Sequence, residues 1–530
     1  MTVRATEAIS ITGLLLSNSS SLGRAGVLSV TAPTLTLADG GQIQLGTAGG
    51  GPRQDLVIEV GRLTLTGGAR IVSITTGTQG ATIIVRATEA ISIAGRDQRE
   101  GTFSNLPSGL FTVTLSSGAG GRVTVTAPTL TLGDGARISA VNANGPGGAI
   151  SVEVGRLTLT GGARIDSSAS TSINSSGGQG GTVMVTATEA VSIAGRDQGA
   201  VSINGQTQRG LPSGLFSDTS GGGGAGGRVS VTTPTLTLAD GAEISAKTAS
   251  RGAGGTVTVA AGRVMVTGTA QITTEATGTG PGGTVVVEAK DTVLLTQGGT
   301  ISASSFGQGD AGQITITAGS LFRSRQGLVT AEARLANGGE IRLAAPLVAL
   351  TDSVITTTVP GGRGGNITIG PGVQFLTLND SQIRAQALRE AGGNITLDTT
   401  LLATPISTVA ASGTLTIGQL VLPESLISVL PSPAFAQALE LSRNRCVTRL
   451  QEGQVSRFVI GGRDGVPLEP GSLLPSPLAW GEQPDPAPLT DVQVGGLERP
   501  NPGSLYLREA HAQARWPGVL DVECTKWMGQ

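Results

Sequence analysis

With 530 residues the chain is long enough for several ordinary domains, yet aromatics make up only 2%, charged residues 14%, and Gly fills 83 positions. A compact core normally draws on more aromatic bulk, so Val, Ile, Leu and Ala must fill the interior, and the charged share is about half that of a usual soluble domain. A formal net charge of −2 with no basic block excludes the footprint of a nucleic-acid binder, and no apolar run reaches the roughly 20 residues of a membrane-spanning helix.

The chain opens inside a repeat. Val3-Arg4-Ala5-Thr6-Glu7-Ala8-Ile9-Ser10-Ile11 nearly duplicates Val85-Arg86-Ala87-Thr88-Glu89-Ala90-Ile91-Ser92-Ile93. No signal peptide precedes it, and end repeats of solenoids normally carry a capping element. The expectation is the C-terminal part of a longer protein.

A unit of the form G-G-x-V-x-V-x-x-x-x-L-x-L-x-x-G-x-x-I then recurs. It is anchored at Val123, Ile150, Val183, Val229, Val257, Val285, Ile314, Ile341, Ile367 and Ile395, with fainter copies at Leu28, Leu56 and Ile83. Most steps are 26 to 29 residues; two are 33 and 46. In Gly121–Ala140, Val123 and Val125, then Leu130 and Leu132, alternate with polar residues, and Ile138 follows. Period two marks strands with one buried face. Pro128 separates the first run from the second, and Asp134-Gly135 signals a turn before the third. No segment of the array shows a 3.6-residue period, so the strands must pair with their equivalents in the next copy. The expected fold is all-β: a right-handed parallel β-helix of about 13 coils and three sheets over residues 1–420. At one rung per ~4.8 Å it forms a rod on the order of 60 Å long. The Gly-Gly pairs read as supplying backbone conformations closed to other residues.

A larger period lies on top. Ala/Thr-Pro-Thr-Leu-Thr-Leu begins at Ala32, Ala127 and Thr233, Gly-Arg-Leu-Thr-Leu-Thr-Gly-Gly-Ala-Arg-Ile at Gly61 and Gly155, and Ala-Thr-Glu-Ala at Ala5, Ala87 and Ala187. Three coils therefore form a super-repeat up to about residue 255, with single coils after it. Its third coil carries insertions at Arg96–Phe111 and Arg196–Phe216, which account for the long steps. Both contain Leu-Pro-Ser-Gly-Leu-Phe. Leu106, Leu110, Phe111, Leu211, Leu215 and Phe216 are the candidate contact residues if these loops project; the preferred reading is that the loops fold back over the coil and cap its apolar edge. The Gly-Arg-Asp-Gln strings at Gly95 and Gly195 contain no Arg-Gly-Asp and read as polar loop residues.

Residues 421–530 form a Pro-rich, mostly irregular tail. Ser432 and Pro433 suit the start of one short helix carrying Phe435, Leu439, Cys446 and Leu450, which would cover the end of the solenoid. Cys446 and Cys524 either pair in an oxidising compartment or are two separate thiols. His511 is the only histidine, so a His-based triad or a multi-His metal site is ruled out. The turn aspartates Asp39, Asp134 and Asp240 lie one per super-repeat, too far apart to share a cation, whereas Asp352 and Asp380 belong to neighbouring coils and can stack. No nucleotide-binding, calcium-repeat or nucleophile-elbow motif is present, and no cofactor is expected.

Two features together resemble the filamentous-haemagglutinin-like exoproteins of two-partner secretion, of the large cyanobacterial type. One is the coil itself, as at Gly147–Ser167 and Gly282–Ser304. The other is the tail string from Cys446 through Ser456-Arg457-Phe458-Val459-Ile460-Gly461-Gly462-Arg463-Asp464-Gly465-Val466-Pro467-Leu468-Glu469-Pro470, with Asp464 standing where that group has glycine. The resemblance implies a secreted or surface-held, non-catalytic rod mediating adhesion or aggregation through surface glycans or other cells. Its partner would be an outer-membrane transporter that recognises an N-terminal domain with Asn-Pro motifs, not seen in this sequence. The alternative class is a carbohydrate-active β-helix enzyme, which needs clustered carboxylates on one face.

Overall fold

The computed structural model describes residues 1–19, 27–47, 55–99, 105–170, 178–198, 200–203, 206–220, 223–390, 392–403, 406–421, 458–461, 504–506 and 519–522. The chain divides into two units, Met1–Leu422 with Pro500–Leu507, and Pro423–Arg499 with Arg508–Gln530. In the second, Phe458–Gly461 pairs antiparallel with Val519–Val522. The expected helix from Ser432, and Cys446, Cys524 and His511, lie outside the described residues.

The first unit is a parallel β-solenoid of about 13 turns, all-β among the described residues. Each coil adds a rung in register, with bulges at the bend between some coils: Val123 pairs with Ile150, Val125 with Val152, Leu130 with Leu157 and Ile138 with Ile165. The inward members of these columns are fully buried and form one apolar core running from Leu28 to Ala411. Burial of each such side chain contributes roughly 1.5–3 kcal/mol, and because a coil's face is covered only by its neighbours, stability comes from stacking. The ladder built from the third strands does not end open: Ser504–Tyr506 pairs antiparallel with Thr408–Ala411, its last parallel strand.

Three faces are carried on two hydrogen-bonded ladders rather than three separate sheets. In the N-terminal coils the first and second strands are continuous, as in Arg122–Gly133, and Pro128 sits unpaired at a bend where the phase of burial shifts from Val123, Val125 and Ala127 to Leu130 and Leu132. In later coils the two become separate strands, such as Gln313–Ala318 and Leu321–Arg325. This bend explains the three-coil super-repeat. The Pro33 carbonyl tucks beneath Gly61, where a Cβ would lie 2.5 Å from its oxygen; Pro128 under Gly155 and Pro234 under Gly262 repeat the same approach. The coil above Gly61 takes up the extra residues of Ala-Thr-Glu-Ala as a bulge.

The corner between second and third strands is a stack of tight turns. Asp39-Gly40, Gly67-Gly68, Asp134-Gly135, Gly161-Gly162 and Asp240-Gly241 each place two successive residues at positive φ. Each is closed by a hydrogen bond such as Gly41 N–H to Ala38 O at 2.8 Å. These are type I′ turns, and Asp-Gly is the pair that tolerates them.

The Gly-Gly pairs have a different cause from the one expected. Gly120-Gly121, Gly147-Gly148, Gly226-Gly227 and Gly254-Gly255 are absent from the residues at positive φ. They line a seam where each coil closes: Gly148 N–H donates to Ala140 O at 3.0 Å, Gly227 N–H to Ser217 O at 2.8 Å and Gly255 N–H to Ala246 O at 2.7 Å. A Cβ on Gly255 would run into the Gly227 carbonyl and stand 2.9 Å from the Ala246 Cβ. Close approach, not conformation, selects glycine here.

Candidate functional site

The six candidate contact residues are not tips of projecting loops. Leu110 stands in register between Ile71 and Ile138, and Leu215 between Ile165 and Ile244, both wholly buried in the core column. Phe216 is buried on the outer side of the same strand, Phe111 is half-buried, and Leu106 and Leu211 are half-buried at the loop bases. Each insertion leaves and re-enters the coil as an antiparallel pair: Arg96 bridges Pro107, Arg196 bridges Pro212, and in the second insertion Ala200–Ile203 pairs antiparallel with Gln206–Arg209. The Pro-Ser-Gly-Leu-Phe string is thus the re-entry into the coil. Ser108 and Ser213 Oγ accept hydrogen bonds from Gly68 and Gly162 N–H of the preceding coil, each at 2.9 Å. The glycines leave room for the Phe rings; a Cβ on Gly109 would meet Phe111 at 2.9 Å and one on Gly214 would meet Phe216 at 2.7 Å. Of the long steps, 46 comes from the second insertion, whereas the 33-residue step from Ile150 to Val183 contains neither insertion.

The turn aspartates Asp39, Asp134, Asp240, Asp352 and Asp380 all adopt φ near +50°, a region Asp tolerates. Asp352 and Asp380 stack as turn residues through Asp352 N–H to Asn379 O at 2.9 Å. Among the described residues no group of three or more His, Cys, Asp or Glu is placed to hold a metal ion.

The concentration of perturbed charge lies instead on the third face, where register brings together residues from successive coils. Arg137 pairs with Asp166 of the next coil. Asp166 also accepts from the N–H of Ser168 at 2.9 Å and from its hydroxyl. Burial pushes the Asp166 carboxyl up, but Arg137 and Arg164 more than offset this and hold it below the ordinary value. The Arg164 guanidinium stacks on the Phe216 ring, 3.6 Å from its centroid, a desolvated cation–π contact. Beyond Phe216, Asp218 accepts from Ser245 Oγ at 2.5 Å and Lys247 N–H at 2.7 Å. The Lys247 ammonium then bridges Glu243 at 2.7 Å and Glu275 at 3.6 Å. The pattern runs on: Ser302 Oγ donates to Glu275 and Thr356 Oγ to Glu332, each at 2.7 Å. Nothing in one coil announces this ladder; its members meet only when Arg137–Ser139, Arg164–Asp166, Gly214–Phe216 and Glu243–Ser245 are set in register as successive rungs.

Asp218 is the titratable group of this ladder. Burial first, and the Glu243 charge beside it, raise its pKa to about 6 against hydrogen bonds that act the other way. The fold disfavours its ionised form, so on acidification the native state takes up this proton before the unfolded chain does. Stability therefore increases as pH falls from about 7 towards 4. Asp218→Asn, which still accepts from Lys247 N–H, is expected to stabilise the chain at pH 8 by about 1–3 kcal/mol, the upper end being some two pK units at ~1.4 each, and to change nothing at pH 4. Urea unfolding of both proteins at the two pH values checks it; an equal effect at both would exclude ionisation as the cause.

On the opposite ladder, charges pair in the open: Arg62 with Glu89 at 3.0 Å, Arg156 with Glu189 at 2.9 Å and Arg263 with Asp291 at 3.2 Å. A shallow groove beside them is bordered by Thr31, Glu59, Gly61, Arg86 and Thr88, and it does not coincide with the buried ladder. Comparison with protein-family models, with curated proteins and with solved structures gives no match.

Proposed function

We propose that the chain is a non-catalytic structural exoprotein, a β-solenoid stalk of the filamentous-haemagglutinin-like type. In this reading it is exported through an outer-membrane two-partner-secretion transporter and acts outside the cell or on the bacterial surface, mediating adhesion or aggregation. The observation that supports it is how the solenoid uses its charged groups. One uninterrupted apolar column runs through about 13 turns. The acidic residues that converge, Asp166, Asp218, Glu243 and Glu275, are engaged by arginine, lysine and serine partners within the ladder. The resemblance of the coil and of the Cys446–Pro470 string supplies the export route and the surface setting.

A carbohydrate-active enzyme is the second reading, and one observation favours it. Asp218, raised to about 6, lies beside Glu243, and glycosidases use a protonated carboxyl together with an ionised one.

The two readings separate in one experiment. Beads coated with the full chain are mixed with bacterial cells and with immobilised polysaccharides, and the soluble fraction is assayed for reducing ends and unsaturated sugars. Saturable bead–cell or bead–glycan aggregation with no sugar released is the expected result. Sugar release that disappears in Asp218→Asn, without aggregation, would replace the stalk with the enzyme.

A further inference from the structure

The Gly-Arg-Asp-Gln strings, inert by sequence, are mechanically connected across the fold. In the first insertion, Asp97 receives a two-pronged ion pair from Arg99, Nε at 2.8 Å and Nη2 at 2.6 Å. The hydrogen bonds from Arg99 hold its carboxyl down at about 2. The Arg99 guanidinium lies in the space that a Cβ on Gly40 would occupy, two coils back, and the Asp97 backbone covers Gly68, where a Cβ would come 2.6 Å from the Asp97 nitrogen. Arg96 turns the other way. Its guanidinium covers Gly135 of the following coil and its Nη2 reaches Asp197 Oδ2 in the second insertion at 2.6 Å, 101 residues away in sequence. Both side chains of that pair are nearly buried, 12% and 9% exposed. Asp197 in turn covers Gly162, and Arg196 covers Gly241 while its Nη1 donates to Gly210 O at 3.0 Å.

We infer that the two insertions are the halves of one clasp running along the turn corner from Gly40 to Gly241, and that it couples the seven coils beneath it into a single cooperative unit. The five covered glycines explain the spacing of the motif. Each sits at positive φ in a turn, and each lacks the Cβ that would hold the covering residue off. Solenoid coils otherwise interact only with their neighbours, so opening propagates from rung to rung. A nearly buried ion pair between two loops changes this, because removing either partner leaves the other charge desolvated. The coils after Asp240 carry no such insertion and depend on nearest-neighbour contacts. This inference concerns stability alone and stands whether the stalk binds cells or sugars.

The test is a double-mutant cycle on the full chain with Arg96→Gln, Asp197→Asn and the pair, read by hydrogen exchange with peptide resolution. Either single substitution is expected to speed exchange about tenfold in both insertion-bearing coils, including the one not mutated. The double variant should be no worse than either single, and strands beyond Glu243 should be unchanged. Arg96→Lys, which keeps the charge but not the flat guanidinium, gives the same comparison in a gentler background should Arg96→Gln fail to accumulate. Faster exchange confined to the mutated insertion, effects that multiply in the double variant, or equal loss of protection in the later coils would each overturn the clasp.

Discussion

Gly255→Val is expected to destabilise the solenoid by about 3 kcal/mol or more, the upper range for forcing atoms into a packed interior. The reason is local and geometric. Gly255 is buried at the seam, its N–H is committed to Ala246 O at 2.7 Å, and Gly226, Gly227 and Ala246 crowd the position a Cβ would take. The same column continues through Gly283, Gly312 and Gly339, which donate to Thr274, Ala303 and Ala331 carbonyls, so a bulge at one rung cannot relax by displacing the next. Close approach also predicts the pattern among smaller substitutions. Gly255→Asn, which a left-handed conformation would tolerate, should do no better than Gly255→Ala. Gly223→Ala should fall within about 0.5 kcal/mol of the parent protein, since nothing lies within 4 Å of its Cβ position. Chemical denaturation of the four variants measures this, and a tolerated Gly255→Asn would return the seam to a conformational explanation.

The contrast shows where sequence reasoning succeeds in this fold. Alternation of Val, Ile and Leu at period two survives in every coil because each inward side chain meets the same column above and below. The strand pattern, the stacking and the Asp-Gly corners were therefore legible. The insertions end earlier than Phe111 and Phe216, because Leu110 and Leu215 already lie in the third strand. Aligning Gly109-Leu110-Phe111-Thr112 with Arg137-Ile138-Ser139-Ala140 shows that Leu110 already belongs to the core column, its neighbour in register being Ile138. The Gly-Gly pairs stand out in the sequence but their cause does not, since sequence does not distinguish a glycine needed for its φ from one needed for its missing Cβ. The buried charges and the clasp were not legible at all. Arg137 meets Asp166 across 29 positions, Asp218 meets Ser245 across 27 and Arg96 meets Asp197 across 101. Loop lengths vary these offsets, so no fixed spacing marks them.

The third-face ladder gives the other large effect. Asp166→Ala is expected to cost about 3–5 kcal/mol, the usual consequence of leaving a buried ion pair with one partner. Asp166 is 2% exposed, and its carboxylate is what Arg137 and Arg164 face from one rung below and from its own strand. Without it two guanidiniums remain side by side, and Arg164, already sandwiched against Phe216, has little water to turn to. Asp166→Asn keeps the acceptor for Ser168 N–H but not the charge, and should fall between the two. The reference is Glu89→Gln. Its pair with Arg62 has the same ion types in the same cross-rung geometry, yet both side chains are more than half exposed, and such pairs contribute ~0–1 kcal/mol. Raising the salt concentration should narrow the small Glu89 effect by screening while leaving the Asp166 effect nearly unchanged. If Asp166→Ala proved as mild as Glu89→Gln, the third face would have to be open to water, and its carboxylates would become available to a ligand rather than committed to holding the coils together.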